Sequence, residues 1–551
     1  MKISSPGAET PGETVERFVS ESPPRVWRAP LENYGVLTSH SLAEAIRTAR
    51  ATRARLDGSE LRWGAGSLGL FRRQIRTELA ELSSGVMSGW GISSPAFDPD
   101  APLIATGHQP EFFHPGVWAK NIAASRVARG LGASAWNLIV DNDLLARAAV
   151  AAPAGTVETP RLVEVPFDTP HSAGPWEEAA IQSPETFSAF NEAVRGAMQP
   201  WGIDPIGLPP LADLMALSEK RLAQVAAKAR IEREAAWNCR NRELPLSVVG
   251  DSAGFRLFAA VLLRQAAEFR AAHNAALDRY RWRHKVRNAM RPMPDLQVWE
   301  GRVETPFWIW KAGATHRGRL FIRWRDGRFA EVYRDQERID EWDLSASDGP
   351  EAIAEALRRL STAGWKIRTR ALTTTLFARL CLCDLFLHGI GGALYDEVTD
   401  DILRTWLGLE PPPYMVLTAT LRLPIAGDSS PALPRPHDLR WRLRDQQWNP
   451  ERYLPDGESA EALGKKLAVV ERMAAPSGGD RTSSSLELAF LRTVWRSQVE
   501  SSVQAAQADL ARSEARELST RRLGSRDFAW PLHPRANLEQ LWERIERHLE
   551  K

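Results

Sequence analysis

The stretch LIATGHQPEFFHPGVWAKN, residues 103–121, contains the pattern that decides the fold of this chain. Residues 103–105 form a short apolar run, which predicts a buried strand that ends at Gly107. Two prolines exclude a helix before residue 116, where a helical pattern begins. His108 and His114 therefore lie on a loop that joins a strand to a helix.

A second apolar run follows this helix. Residues 117–131 have helical spacing, and AWNLIV at 135–140 is typical of another buried strand. A strand, a helix and a strand in this order form a unit whose two strands are parallel. The loop with the histidines then lies at the carboxyl end of the first strand, where open α/β sheets bind their ligands. We predict an α/β fold with a Rossmann-like parallel-sheet core.

The chain divides into three parts by its patterns. Residues 1–100 are predicted as an N-terminal extension that is disordered at first and then helical, and residues 101–435 as the Rossmann-like core. A helical insertion at about 184–290 interrupts this core. After it we expect the sheet to resume with a hairpin that turns at Asp326–Gly327, followed by alternating strands and helices. Residues 436–551 are predicted as a helical hairpin and a tail that folds back on the core.

The composition excludes several classes of protein. Among 551 residues, 71 Lys and Arg balance 69 Asp and Glu, so no overall field attracts nucleic acid or an anionic membrane. No segment approaches the ~20 consecutive apolar residues of a membrane span. The three cysteines form no CxxC pair, which argues against a disulfide framework or a structural zinc. We expect a cytoplasmic protein that acts on a small molecule.

Three loops contain the candidate site residues, and each follows a predicted strand. In the first loop, Gly107 lets a ligand approach the backbone, and His108 can donate to phosphate oxygens beside the N-terminus of the next helix. Asn121 lies in the apolar stripe of that helix, so we expect its amide to bond to the loop. The alternative is that His108 and Gln109 only satisfy buried carbonyl groups.

The other two loops are DND at 141–143 and HGIGG at 388–392. Carboxylates in the second loop suit a substrate amine, a ribose hydroxyl or Mg²⁺, and capping of the following segment is the alternative. A glycine-rich turn such as the third cradles phosphate or an adenosine moiety through its free amides. Neighbouring strand ends share one crevice, so we expect His108, Asp141 and Gly391 to open into one cleft.

These stretches resemble the bacillithiol-biosynthesis cysteine-adding enzymes, and more closely the uncharacterised bacterial relatives of that family. The Thr-Gly-Gln-Gln loop of the family matches residues 106–109, in which His108 replaces a glutamine. Its acidic strand end matches the DND stretch. Its Gly-Gly-Pro turn matches Gly391 and Gly392, followed by Ala393 in place of the proline.

The resemblance covers about residues 102–170 and 365–525. It implies a core similar to class I synthetases and nucleotidyltransferases, a coiled-coil appendage that dimerises, and a role in joining cysteine to a glucosaminyl-malate amine. We therefore expect a ligase-like enzyme that joins an activated acyl group to an amine, with ATP or ADP and Mg²⁺ as cofactors. A catalytically idle relative, which binds a nucleotide or metabolite and assembles through its hairpin, is the alternative.

The expected catalytic residues are His108, Asp141 and Asp143. The expected nucleotide-binding residues are Gly107, Gln109, His114, Lys120, Asn121, His388, Gly389, Gly391, Gly392 and Tyr395. A metal-dependent hydrolase is a third interpretation, but none of the histidines has the helical spacing of HExxH, and we assign no metal ligand.

The C-terminal part predicts assembly. An apolar stripe follows a helix near 485–521, and its predicted partner near 458–474 is about half as long. The uncovered end needs another partner, so we expect a homodimer formed partly through this hairpin. Packing of the hairpin on its own core through the tail is the alternative.

Overall fold

The computed structural model of the chain describes residues 26–155, 160–170, 174–210, 213–214, 221–344, 349–425, 434–474 and 480–551. Its strands are β1 (Val36–Thr38), β2 (Arg62–Trp63), β3 (Gly66–Ser67), β4 (Ile104–His108), β5 (Ala135–Ile139), β6 (Ala149–Gly155), β7 (Pro160–Pro166), β8 (Arg242–Pro245), β9 (Val298–Trp299), β10 (Arg302–Lys311), β11 (Gly318–Arg325), β12 (Phe329–Arg334), β13 (Glu337–Asp343), β14 (Trp365–Thr369), β15 (Leu385–His388) and β16 (Tyr414–Ala419).

Its helices are α1 (Leu42–Asp57), α2 (Leu68–Gly89), α3 (Pro115–Gly130), α4 (Pro184–Met198), α5 (Leu222–Ala235), α6 (Leu246–Gly250), α7 (Ala253–Arg264), α8 (Ala266–Arg283), α9 (Pro350–Thr362), α10 (Ala371–Phe377), α11 (Ile390–Leu407), α12 (Pro436–Trp448), α13 (Glu458–Ala474), α14 (Arg481–Gln498), α15 (Glu500–Leu523) and α16 (Arg535–Leu549). No helix in these ranges is long and apolar enough to cross a membrane.

A mostly parallel sheet organises the fold. Its strand order is β1-β16-β15-β4-β5-β8, and every neighbouring pair is parallel except β1 with β16. From β4 the chain first adds β5 and β8 on one side, and later β15 and β16 on the other. The strand order therefore reverses between β4 and β15. The predicted α/β class is confirmed, and so are the parallel strands of the first unit.

The first strand is longer than the apolar run indicated. Gly107 and His108 still belong to β4, because they pair with Leu138 and Ile139 of β5. The following helix begins at Pro115, one residue before the predicted start. Proline fits the first helical position, since the N–H that it lacks has no partner inside a helix there.

Layers of helices cover both faces of this sheet. Successive strand residues point to opposite faces, so Ile104 packs in one buried cluster with α3, α5 and α16. Ala105 packs in the other cluster, with α2, α7 and α10. The C-terminal tail supplies α16 to the first layer, as predicted, and the Trp542 ring lies 5.4 Å from that of Trp118 in α3.

The strands that directly follow the predicted insertion, β9 to β14, form a separate sheet, so the expectation that the first sheet resumes there is wrong. Their order is β13-β12-β11-β10-β14, with β9 paired to β10, and all of these pairs are antiparallel. The predicted hairpin between β11 and β12 is confirmed: Arg325 pairs with Phe329, and Asp326 and Gly327 at its turn both have positive φ. Alternation identifies a strand but not the sheet to which it belongs.

The region predicted as a helical insertion also contributes a strand to the main sheet. β8 has the sequence Arg-Glu-Leu-Pro, which is short and charged and carries no strand pattern. Its Glu243 is buried and accepts from Arg230 at 2.6 Å and from Asn137 of β5 at 2.8 Å. The ion pair allows a charged residue inside the sheet, a compensation that the sequence pattern does not show.

The C-terminal hairpin has two arms of similar length. α12 and α13 form the first arm, and α14 and α15 form the second. Gln446 of α12 donates to Ser502 of α15 at 2.9 Å, so α12 covers the part of the second arm that we expected to be uncovered. The premise of a half-length partner is therefore wrong. Residues 475–479 of the predicted connecting loop lie outside the described residues.

Candidate functional site

Two strand ends meet where the strand order reverses. Thr106 of β4 is in register with Leu387 of β15, so the next residues, Gly107 and His388, lie side by side. Lys120 of α3 is buried beneath them, and its Nζ donates to the Gly107 carbonyl at 2.8 Å. Burial lowers the pKa of the Lys120 ammonium to about 8. The first and third predicted loops therefore adjoin one another.

A cavity of about 490 Å³ opens beside the end of β4. Both predicted histidines of the first loop, His108 and His114, line it. Its other walls come from the loop itself, from the β6–β7 hairpin and the segment before it, and from the segment that follows the helical hairpin. The lining residues include Glu111, Phe113, Arg147, Val150, Leu162, Phe167, Trp176, Ser525, Asp527 and Phe528. This volume suits a small organic ligand.

The two histidines are neutral near pH 7. Burial lowers the pKa of His108 to about 3, and the charge of Lys120 adds to this effect. Burial, with Arg526 as the second cause, lowers the pKa of His114 to about 4. Nδ1 of His114 accepts the N–H of Gly116 at 3.1 Å, so this histidine caps α3. Neither imidazole brings a positive charge to the cavity.

The N-terminus of α3 has no amide left for a ligand. The Gly116 amide bonds to His114, and the amides of Val117 and Trp118 both bond to the His114 carbonyl. The expectation that the amides of 116–118 hold phosphate is therefore wrong. Packing alone explains why residue 107 is a glycine, because a Cβ there would lie 2.9 Å from the carbonyl oxygen of Leu138.

Aromatic residues that we did not select hold the first loop in place. The Phe112 ring lies 5.0 Å from Phe167 and 5.8 Å from Trp530. The Phe113 carbonyl accepts the backbone N–H of Trp530 at 2.9 Å, and the Phe113 ring lies 5.0 Å from the His108 ring. The Phe-Phe pair in the quoted stretch was the available signal, since two large apolar residues in a polar loop need a covered position.

Asn121 does not bond to this loop, so that prediction is wrong. Its Nδ2 donates to Glu234 of α5 at 2.8 Å, and Trp118 donates to the same carboxylate at 2.6 Å. Asn121 faces the neighbouring helix, where a buried carboxylate needs donors. Helical spacing shows that a residue is buried but not which element covers it.

The second loop separates its two acids. Asp141 is buried and accepts from the Ser247 backbone N–H at 2.8 Å and from its hydroxyl at 2.5 Å, so it caps α6. Asp143 is partly exposed and accepts from Gln109 Nε2 at 3.0 Å and from Arg317 at 3.3 Å. Gln109 thus connects Asp143, but not Asp141, to the first loop.

The third loop places His388 in a buried network. Its Nε2 lies 2.8 Å from Oδ2 of Asp396, which also accepts from Arg379 at 2.6 Å. Burial lowers the pKa of His388, and Asp396 opposes this shift. A Cβ on Gly392 would lie 2.6 Å from Nδ1 of His388, so this glycine allows the ring to pack. Tyr395 is exposed on the next turn of the helix.

The N-terminus of α11 differs from that of α3. Gly389 provides no side-chain cap, and Gly391 and Gly392 are exposed. Within the described residues, no acceptor bonds to the amides of 390–392. Gly391 and Asp141 do not line the cavity with His108, so the three do not share it as we expected.

The described ranges contain no group of three or more His, Cys, Asp or Glu side chains that could hold a metal ion. All three cysteines are buried and unpaired, and burial raises the pKa of Cys383 to about 12. Comparisons of the chain with known protein families and with curated proteins found no match.

Proposed function

We propose that this chain is a nucleotide-binding enzyme with a Rossmann-like core that joins an activated acyl group to an amine of a small metabolite, as the cysteine-adding enzymes do. One observation carries the proposal. The strand order reverses between β4 and β15, and His108, Lys120 and His388 lie together at that point. Open α/β sheets bind nucleotides and related ligands outside such a reversal.

The N-terminus of α11 suits the nucleotide best. The unbonded amides of 390–392 present N–H donors and the positive end of the helix dipole to a phosphate group. An ATP phosphate bound there would lie beside the ends of β4 and β15. Asp143 is the more exposed acid of the second loop, but it already pairs with Arg317, so we assign no residue to Mg²⁺ and derive no step through it.

The cavity beside His108 suits the second substrate. It adjoins the same strand end, and its neutral histidines can accept or donate a hydrogen bond without carrying charge. His108 is placed to accept a hydrogen bond from the amine and to orient it toward the acyl carbon, while Glu111, whose pKa is raised, is the better acceptor of the proton that the amine loses. Asp141 is buried and accepts the N–H and the hydroxyl of Ser247, so we no longer assign it a catalytic role.

A catalytically idle binding protein is the second candidate. Two of the selected groups, Asp141 and His388, are engaged in buried hydrogen bonds within the fold. In a protein that binds its ligand without turnover, these side chains could serve the fold alone. An assay that separates the two candidates must therefore measure ligand binding and product formation independently.

The first experiment is thermal stabilisation by ATP and ADP. A ligand at 100 times its dissociation constant adds about 2.7 kcal/mol to the stability of the fold. Gly391→Glu places a carboxylate at the proposed phosphate site, and nothing lies within 4 Å of the added Cβ. Gly196→Glu is the matched control, because this exposed helical glycine has equally free space.

We expect nucleotide to stabilise the wild type and the control. For Gly391→Glu, the apparent affinity derived from the thermal stabilisation should be at least tenfold lower. Equal stabilisation of all three proteins would contradict the proposed nucleotide site. For catalysis, His108→Ala should lower turnover with an almost unchanged melting temperature, while His437→Ala, an exposed control, should change neither.

We also propose that the chain forms a homodimer through the tip of the hairpin. This tip exposes large apolar side chains on both arms, on α13 and on α14. They are Leu463, Leu467, Val470, Leu486, Phe490 and Val494. Phe490 is 68% exposed, and a patch of this kind on a helical hairpin matches the same patch of a second copy. The three cysteines form no disulfide, which fits the reducing cytosol in which we expect this protein to act.

A further inference from the structure

The cavity beside His108 has an uneven distribution of charge. Apolar residues from β6, β7 and the adjoining segments form much of its wall, among them Val150, Leu162 and Phe167. Two carboxylates, Glu111 and Asp527, line it as well. The acids come from distant parts of the sequence, and each is held in place by its neighbours.

Buried aromatic residues determine the position of Glu111. The next residue, Phe112, is 7% exposed and packs against Phe167 and Trp530. The Glu111 carbonyl accepts the Phe113 N–H at 2.9 Å, which closes a tight turn. Because Phe112 points into the core, Glu111 remains exposed at the cavity. Partial burial and the nearby Asp143 raise the pKa of Glu111, and Arg147 opposes this shift.

Asp527 is fixed in a similar way from the other side. Its backbone N–H donates to the Ser525 hydroxyl at 3.1 Å, and that hydroxyl donates to its carboxylate at 2.9 Å. The next residue, Phe528, is 5% exposed and lies in the core. The Asp527 carboxylate itself is 75% exposed, so it is free to contact a ligand.

The neighbouring cations are shared with other partners. Arg147 lines the cavity, but it pairs with Glu164 at 2.5 Å. Arg526 extends to the end of β16, where it donates to Thr418 and to the Ala419 carbonyl at 3.1 Å each, and it approaches Asp527 only to 3.9 Å. The two histidines are uncharged, as described above. Among the described residues that line the cavity, the two acids therefore face one cation, Arg147, and Arg147 also pairs with Glu164.

We propose that this cavity selects a primary amine attached to an apolar body, with Glu111 and Asp527 holding the ammonium group. The amine hydrogens donate to the two carboxylates, and the apolar body packs against Val150, Leu162 and Phe167. The inference rests on the proposed function only in identifying this amine as the acyl acceptor. It replaces Asp141 and Asp143 with Glu111 and Asp527 as the residues that hold the amine.

The test compares three probes of one shape at constant ionic strength near neutral pH. Phenethylamine carries the cation, 2-phenylethanol is its neutral counterpart, and phenylacetate carries the opposite charge. We expect phenethylamine to raise the melting temperature and to bind at least tenfold more tightly than the other two. This comparison uses the wild-type protein, so it does not depend on the folding of a variant.

The variants then identify the selecting residues. Glu111→Gln and Asp527→Asn should each weaken phenethylamine binding at least fivefold and leave the weak binding of 2-phenylethanol unchanged. Glu192→Gln, on an exposed position of α4, is the matched control and should behave as the wild type. Equal binding of amine and alcohol, or full amine binding by both variants, would overturn the inference. Failure of the nucleotide experiment alone would remove the proposed enzyme but not this selectivity.

Discussion

Replacing Asp141 with asparagine should remove a pH-dependent loss of stability. The Asp141 carboxyl is buried below the carboxyl end of β5 and bonds to the N–H and the hydroxyl of Ser247. Burial raises its pKa from 3.8 to about 7, and the neighbouring Glu177 contributes to the shift. An asparagine can accept the same N–H and donate to the same hydroxyl, so it imitates the protonated acid.

The sign of the effect follows from the direction of the shift. The folded protein holds this proton more tightly than the unfolded chain, so the stabilisation is complete at low pH and is lost as the pH rises through about 7. Between about pH 5 and about pH 8 the loss corresponds to about two pKa units. At about 1.4 kcal/mol per unit, the wild type should lose about 2 to 3 kcal/mol from this group.

Urea unfolding at the two pH values measures the difference. Because the unfolded chain already releases this proton above about pH 4, we expect Asp141→Asn to exceed the wild type by about 1 to 2 kcal/mol near pH 5 and by about 4 kcal/mol near pH 8. Asp143→Asn, on the exposed acid of the same loop, is the control and should keep the wild-type pH dependence. If Asp141→Asn were less stable than the wild type at both pH values, a buried ionised carboxylate would be indicated and our argument refuted.

Two further predictions concern packing and assembly. A Cβ at Gly116 would overlap the carbonyl oxygen of Ala419, so Gly116→Ala should lower the free energy of unfolding by about 1 to 3 kcal/mol, whereas Gly196→Ala should be neutral or stabilising; equal stability of Gly116→Ala and the wild type in urea unfolding would contradict this packing. Light scattering at micromolar concentration should give twice the chain mass of 61.4 kDa, and Phe490→Glu should give the single mass; a wild-type monomer would count against the proposed dimer.

Local patterns predicted the secondary structure better than the sheet partners. The alternation around Asp326–Gly327 identified the β11–β12 hairpin, because adjacent strands and a two-residue turn are a local feature. The same pattern did not show that this hairpin belongs to a second sheet. β8 was not predicted, since Arg242 donates to the Ala80 carbonyl, which is far away in the sequence, and the cation that neutralises Glu243 is Arg230 on another element.

The position of the candidate site was predictable from the backbone, because the order of strands and helices determines which loops meet. Strand-to-helix loops brought His108 and His388 to one edge of the sheet, as expected from the parallel topology. The partners of the side chains were not predictable. Asn121 and Asp141 were selected for their chemistry, but each forms a hydrogen bond with a residue of a neighbouring helix. Asn121 bonds to Glu234, and Asp141 bonds to Ser247. Asp527 was not predicted as a site residue, because it lies more than 400 residues from Glu111 in the sequence and the two meet only in the folded cavity.

The two halves of the proposed reaction occupy opposite sides of the strand-order reversal. Unbonded amides lie on the β15 side, at the start of α11, and the acidic and apolar cavity lies on the β4 side. Lys120 of α3 donates to the Gly107 carbonyl at this boundary, which ties the end of β4 to α3. In the proposed function, an acyl phosphate on one side and an amine on the other would meet above Gly107. The ammonium must lose a proton before it attacks. Glu111, whose pKa burial raises, is the acceptor beside it, and the neutral His108 at this boundary can accept a hydrogen bond from the amine.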